Sequence, residues 1–413
     1  MKPTIAFPKC LLNYRRQTAL KITRCLRTQP RPVHVMPPRT LLQPRELRER
    51  YLFGPGPTNP LPSAQKALTM PMTGYLHPDF TQIMDDVKAG LQYMFQTRNR
   101  FTMAVTGSGH AAMEASLVNL LEHNEKLLVM ENGMWGERAA EMGLRMGLRV
   151  NKICRPPGEV FSFEEIRQAV RMYEPRVLFV CHGESSTGAL QPLDGLGELC
   201  SQHDCLLLVD MVMSLGATTA PVDILGIDCA YSASQKVLSC PAGLSPITLS
   251  DRAMKRIFQR KTSPSSFYLD LALIGNYWGC FDEPRKYHHT ACMPLVYAVR
   301  ESLRNAVQEG LDNIIQRHES NARYLCAGLK KIGFRMLVSD EDVRLPSLTG
   351  INVLPGQDWK QFIQRLFTEH NIEIAGGLGA TVGKIYRIGL MGQNSTKENV
   401  TRILRALKAA RDM

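Results

Sequence analysis

No run in the 413-residue chain approaches 18 consecutive apolar residues, so a membrane-spanning helix is excluded. No CxxC pair is present among the eleven cysteines. Two of them, Cys10 and Cys25, fall in the first 45 residues. The nine that remain are an odd number and cannot all pair within one chain. That usage fits a reducing compartment and buried free thiols. His288-His289 and Cys292 lack the second spaced pair that a zinc site uses, so no metal is expected. Gly (31) and Pro (25) are near average, which excludes collagen-like and wholly disordered chains. Acidic residues are missing altogether from residues 1–45, which carry ten Lys or Arg. Those ten make up most of the net charge of +12 and leave +2 for residues 46–413. A nucleic-acid binder carries its charge as a basic face on the folded body. Nothing here does, so no nucleic-acid partner is expected.

An arginine-rich, acid-free start matches a mitochondrial transit peptide. On a helical wheel Leu11, Leu12, Tyr14, Ala19, Ile22, Cys25 and Leu26 share one arc. Arg16, Lys21, Arg24 and Arg27 lie outside it; Arg15 and Leu20 depart from the pattern. Residues 1–45 are therefore expected to direct the chain to the mitochondrial matrix. A secretory signal would need an uninterrupted apolar segment, which is missing. The end of the sequence, Arg411-Asp412-Met413, is unlike the peroxisomal Ser-Lys-Leu tripeptide. Translation from Met36 would give a form without most of the basic segment.

In the body, short apolar runs alternate with helical patterns. Phe101–Thr106, Lys126–Met130, Arg176–Cys181 and Cys205–Val209 read as buried strands, and His110–Leu121 and Phe163–Met172 as helices. That alternation predicts an α/β domain with a mostly parallel sheet, over residues 46–293. From residue 294 the pattern changes. A long amphipathic stretch, Leu295–Gln308, leads into a helix through Leu329. Short strands follow at Ile351–Leu354, Ile372–Ala375 and Ile385–Ile388, with helices at 358–369 and 396–410. Residues 294–413 are expected to form a smaller α+β domain.

Three motifs fall where ligands bind in such sheets, beyond the carboxyl ends of strands. In Thr106–Glu114 (TGSGHAAME) a strand ends, a Gly-rich turn follows and a helix begins. The N–H groups of Ser108, Gly109 and His110 would face an anion there. Asp210 directly follows the apolar run CLLLV, a setting in which a carboxylate needs a cationic or hydrogen-bonding partner. Lys236 stands in the Ser-rich, mostly uncharged YSASQKVLSCPAG, a setting that depresses a lysine pKa and favours Schiff-base chemistry. Each alone has an ordinary reading: a common turn, a helix cap, a surface lysine. Phosphate cradle, carboxylate and lysine in that order are the parts that pyridoxal phosphate requires.

The chain resembles the alanine–glyoxylate and serine–pyruvate aminotransferases, class V pyridoxal-phosphate enzymes of fold type I. The resemblance covers about residues 50–410. Its strings include LFGPGPTNP (52–60), TGSGH (106–110), NGMWGER (132–138), HGESSTGALQPLDGLGELC (182–200), LLLVD (206–210), SQKVL (234–238), YHHT (287–290) and GKIYRIGLMG (383–392). It implies a seven-stranded sheet between helices and a homodimer with active sites at the interface. It implies that Lys236 holds the cofactor and moves the substrate Cα proton, that Asp210 pairs with the pyridine nitrogen, and that Trp135 stacks on the ring. Ser185 would reach the ring oxygen or the substrate. Ser108, Gly109, His110 and Gln235 would hold the phosphate, with Tyr287 and Thr290 supplied by the neighbouring subunit. Arg387 would clamp the substrate carboxylate, for which a planar fork suits better than lysine. A tight pocket for small substrates would lie near Gly56 and Tyr75.

The implied reaction moves the amino group of alanine to glyoxylate. Serine–pyruvate or 3-hydroxykynurenine transamination on the same scaffold is the alternative. Thr73-Gly74-Tyr75-Leu76 is closer to the glyoxylate-using type. A desulfurase would need a cysteine on a mobile loop, and Cys292 is expected at a helix start instead. Met211-Val212-Met213 stand where the family usually has small residues, so altered packing behind the cofactor is expected.

Overall fold

The computed structural model describes residues 35–411. The helix expected at residues 11–27 lies outside them. The chain divides into two units, residues 1–49 and 50–413. Within the first, residues 35–49 are exposed and contain one 3-10 turn, Arg39–Leu41. Among the described residues no helix is long and apolar enough to cross a membrane.

The second unit is built on a seven-stranded sheet. Its strands are β1 (Phe101–Thr106), β2 (Lys126–Glu131), β3 (Arg149–Cys154), β4 (Val177–Cys181), β5 (Leu206–Asp210), β6 (Cys229–Tyr231) and β7 (Leu244–Leu249), in the spatial order β1-β7-β6-β5-β4-β2-β3. Every neighbouring pair from β6 to β3 is parallel. The central strands are buried along their whole length, which is why VLFVC and LLLVD are apolar without alternation. Helices cover the sheet and are set by local signals. Phe163–Tyr173 starts with a Ser162–Glu165 capping box, and Pro78–Phe95 has its proline in the first turn.

β7 is the exception, antiparallel to both its neighbours. It therefore begins at the sheet end where β6 finishes, with Leu244 opposite Thr106, the last residue of β1. The loop from 232 to 243 never has to cross the sheet. The ends of β1, β5 and β6 and the whole of that loop collect at one edge of the fold.

A second, smaller core packs strands Leu348–Asn352, Ile385–Gly389 and Ala375–Gly376 against helices Trp359–Glu369 and Lys397–Arg411. The expected division at residue 293/294 meets a different packing here. Helix Met293–Glu309 buries Val296, Val299 and Leu303 in the larger core. The smaller core takes over within helix Leu311–Lys331, at Leu325 and Leu329, and draws in Phe53 from before the sheet. Tyr51–Leu52 pairs in parallel with Ile372–Glu373, so the expected single strand at 372–375 is two short ones serving different sheets. Cys292 sits at the start of helix Met293–Glu309, as expected.

Phe53 is fully buried in this second core. Phe53→Ala should lower unfolding free energy by about 3–5 kcal/mol, read from urea denaturation. A loss below about 1 kcal/mol would show that residues 51–53 are not part of it.

Candidate active site

Asp210 ends β5 and is only 3% exposed. Its Oδ1 accepts the Val212 N–H (2.8 Å), an Asx-type turn that stops the strand. Its Oδ2 accepts the Tyr231 hydroxyl (2.8 Å). Tyr231 is there because the parallel register sets it beside Asp210 at the ends of β5 and β6. Burial pushes the Asp210 carboxyl up to about 7, against the pull of those two donors.

Lys236 lies on the loop after β6, and its Nζ donates to the Pro55 carbonyl. Burial pushes its amine down to about 8; Asp210 opposes that shift and Arg387 adds to it. Gly56 is packed against the lysine side chain, where a Cβ would collide with Nζ. The neighbouring Gln235 has a buried Oε1 with no hydrogen-bond partner among the described residues.

The Gly-rich turn reaches the same place. Gly109 begins helix Gly109–Leu120, and a Cβ on it would stand 3.2 Å from Val212 and 3.5 Å from Ala233. Among the described residues the N–H groups of Ser108, Gly109 and His110 have no acceptor. Ser108 is exposed, and its side chain makes no cap. The arrangement suits a bound anion. The imidazole of His110 meets the Trp135 ring edge-on, with centroids 5.2 Å apart.

Trp135 donates its indole N–H to the Ser185 hydroxyl (2.5 Å). The Ser185 carbonyl accepts from Arg387 (3.0 Å), whose Nε donates to the Gly376 carbonyl (2.8 Å). Arg387 is on the central strand of the smaller sheet and is 7% exposed. Burial pulls its pKa down. Among the described residues no carboxylate lies within ion-pairing distance of it. A buried, unpaired guanidinium is a ready site for a ligand carboxylate.

Tyr75, Tyr287 and Thr290 lie apart from this group. The Tyr287 hydroxyl bonds Thr290 (2.9 Å), the Tyr75 ring packs 5.9 Å from Tyr287, and Tyr287 is 54% exposed. Among the described residues neither Tyr287 nor Thr290 makes a side-chain hydrogen bond to the residues around Lys236. His289, between them, is tied to Thr106 at the end of β1 (2.8 Å) and to His288. Met211 and Met213 are both buried in the larger core. Val212, not either methionine, is the residue of that turn beside Gly109.

Two members of the site were missed in the sequence. Tyr231 holds Asp210, and a tyrosine ending an apolar CAY run has a hydroxyl that needs a partner. Glu184, fully buried, accepts the backbone N–H of Trp135 (3.2 Å). Its signal was a carboxylate in HGESS immediately after an apolar strand.

Residues 63–403 match the family model of the class-V aminotransferases. Over 376 residues the chain is 46% identical to the alanine–glyoxylate aminotransferase of Callithrix jacchus, covering 91% of each chain. A crystal structure of alanine–glyoxylate aminotransferase from Nostoc sp. superposes with a TM-score of 0.88 at 45% identity, over 92% of this chain and 100% of that one. The ureidoglycine–glyoxylate aminotransferase of Bacillus subtilis gives 0.85 at 34% identity, over 89% and 94%. The chain belongs to the class-V aminotransferase family.

The buried amine gives a direct test. In the cofactor-free protein, trace acylation of Lys236, followed by peptide mass, should rise with pH through a midpoint near 8. Asp210→Asn removes the charge that stabilises the ammonium, so the midpoint should move lower. A wild-type midpoint above 10, or an upward shift in the variant, would contradict the geometry.

Proposed function

We propose that the chain transfers the amino group of alanine to glyoxylate, giving pyruvate and glycine, with pyridoxal 5′-phosphate as its cofactor. The observation that carries the reading is a lysine amine and a buried carboxylate that act on each other, with a buried arginine that among the described residues has no carboxylate partner. The names and full-length identity of the relatives support the choice of substrates.

The residues present fit the cofactor. Three unpaired N–H groups at a helix start suit a phosphate, and the orphaned Gln235 oxygen stands beside Lys236. Asp210 is a carboxyl whose charge burial disfavours and a further cation would stabilise, and Lys236 is an amine already held partly neutral. When bound, pyridoxal phosphate supplies an aldehyde for amine capture and a ring that accepts the electron pair released at Cα. Ser108, Gly109, His110 and Gln235 would hold the phosphate. Asp210 would keep a proton on the ring nitrogen, and Trp135 would cover one ring face. Arg387 binds the substrate carboxylate through two parallel N–H donors and so orients Cα. Lys236 Nζ, near 8, would take the proton from Cα and hand it to the carbon that carried the aldehyde, and in the opposite half-reaction would move a proton the other way, onto the Cα of the acceptor. The same arginine serves alanine and glyoxylate because both carry a carboxylate next to the reacting carbon.

The exposed apolar side chains of Met72, Leu76, Phe267 and Tyr287 support a homodimer, in which Tyr287 and Thr290 would complete the phosphate site of a second copy. The composition of residues 1–45 supports mitochondrial import. A fusion of those residues to a reporter should enter the matrix; a reporter left in the cytosol or sent to peroxisomes would contradict this.

With alanine and glyoxylate, Lys236→Ala should lose about 10²–10⁴-fold or more in kcat. Arg387→Lys should raise KM for both substrates by about 10–100-fold, as expected for losing a charge-assisted hydrogen bond. Wild-type protein that forms no glycine from this pair, while transferring serine's amino group to pyruvate, would overturn the assignment of substrates.

A further inference from the structure

We propose that Glu184 is the positioning residue that holds the Trp135 ring and the Arg387 fork in a single frame. Helix Met134–Arg145 has no cap of its own, since Gly133 has no side chain to offer. Its first N–H groups are taken instead by the turn after β4. Glu184 Oε2 accepts the Trp135 N–H (3.2 Å). Glu184 Oε1 accepts both the N–H (2.8 Å) and the hydroxyl (2.6 Å) of Ser186. The Ser186 oxygen in turn accepts the Met134 N–H (3.1 Å). A helix start favours a carboxylate, and together with the N–H and hydroxyl donors it opposes the burial that pushes the Glu184 carboxyl up.

The residue between these two, Ser185, binds the Trp135 indole with its hydroxyl and Arg387 with its carbonyl. One three-residue turn thus fixes the backbone and the ring of Trp135 and one arm of the arginine. Glu184 is also the carboxylate whose field acts on Arg387. Gly133 is cleared for it: a Cβ there would run into the Glu184 side chain and stand 2.6 Å from the Ser186 hydroxyl. Only with a smaller residue at 184 could a Ser or Asp at 133 cap the helix locally, without burying a carboxylate. Capping from Glu184 makes the position of the helix depend on the turn that carries Ser185.

The inference rests on the roles given above to Trp135 and Arg387, and its test is separable from them. The chain has three tryptophans, Trp135, Trp278 and Trp359. In cofactor-free protein labelled with 5-fluorotryptophan, the Trp135 fluorine resonance is assigned by its loss in Trp135→Phe. Glu184→Gln puts an NH2 where an N–H must be accepted. It should shift and broaden the Trp135 resonance and leave the other two in place. Gly133→Ala should reproduce the pattern. Ser186→Ala, which keeps the carboxylate and its two backbone N–H donors but loses the hydroxyl that links it to Met134, should give a smaller shift and serves if the others fail to fold. In the loaded enzyme Glu184→Gln should lower kcat/KM for alanine on the order of 10²-fold and raise KM for glyoxylate. Three resonances moving together would show a general structural role and overturn the proposal. So would an unmoved Trp135 resonance in the folded variants. A selective Trp135 shift in an enzyme that never used alanine and glyoxylate would leave the positioning role standing and remove the substrate assignment.

Discussion

A buried amine and a buried carboxylate at one end of a sheet are the constraint on which the rest of this fold depends. Neither Lys236 nor Asp210 would keep its charge comfortably alone away from water. Each is held near neutrality by burial and pulled back toward charge by the other. That balance needs the two on the same side of the sheet. It follows from the reversal of β7, which returns the lysine loop to the end where β5 and β6 finish. A parallel seventh strand would have required a crossover and carried the loop away. The same reversal puts the Gly-rich turn after β1 beside Val212 and Ala233.

The smaller core contributes Arg387, the group proposed to bind the substrate carboxylate. Its strand lies between two partners, and the arginine is pinned by carbonyls from both cores, Gly376 and Ser185. The lysine loop is tied from the same direction. The Ser239 oxygen accepts from Gln393, and Thr58 donates through its N–H to the Gln235 carbonyl and through its hydroxyl to Met391. His318 is buried in the same joint. Its Nδ1 faces the Ile314 carbonyl and its Nε2 accepts from the Gly392 N–H, so the ring must stay neutral; burial pushes it down to about 4. The groups proposed for carboxylate recognition and proton transfer thereby share one hydrogen-bonded support.

Legibility in the sequence followed burial. Strands covered on both faces, such as β1, β4 and β5, show as apolar runs and were found within a residue or so. β3 was not found, because this edge strand is half exposed and reads RVNKIC. β6 is three residues long, and β7 contains Ser, Pro and Thr, so neither shows a clear pattern. Lys236, Asp210 and the Gly-rich turn could be recognised because their residue types and order are chemically unusual together. Tyr231 and Glu184 could not, since their roles come from register and from a helix start far away in the chain. The boundary at 293/294 followed a change of pattern along the chain, whereas packing follows faces, and helix Met293–Glu309 turns its apolar face to the larger core.

The central claim is that one particular lysine, made reactive by its setting, carries the cofactor. Loading the full chain with pyridoxal 5′-phosphate, reducing it with borohydride and mapping the peptides by mass tests this most directly. The account predicts a single stoichiometric adduct on the peptide that contains Lys236, absent from Lys236→Ala. A stoichiometric adduct on another lysine, or none at all, would contradict it.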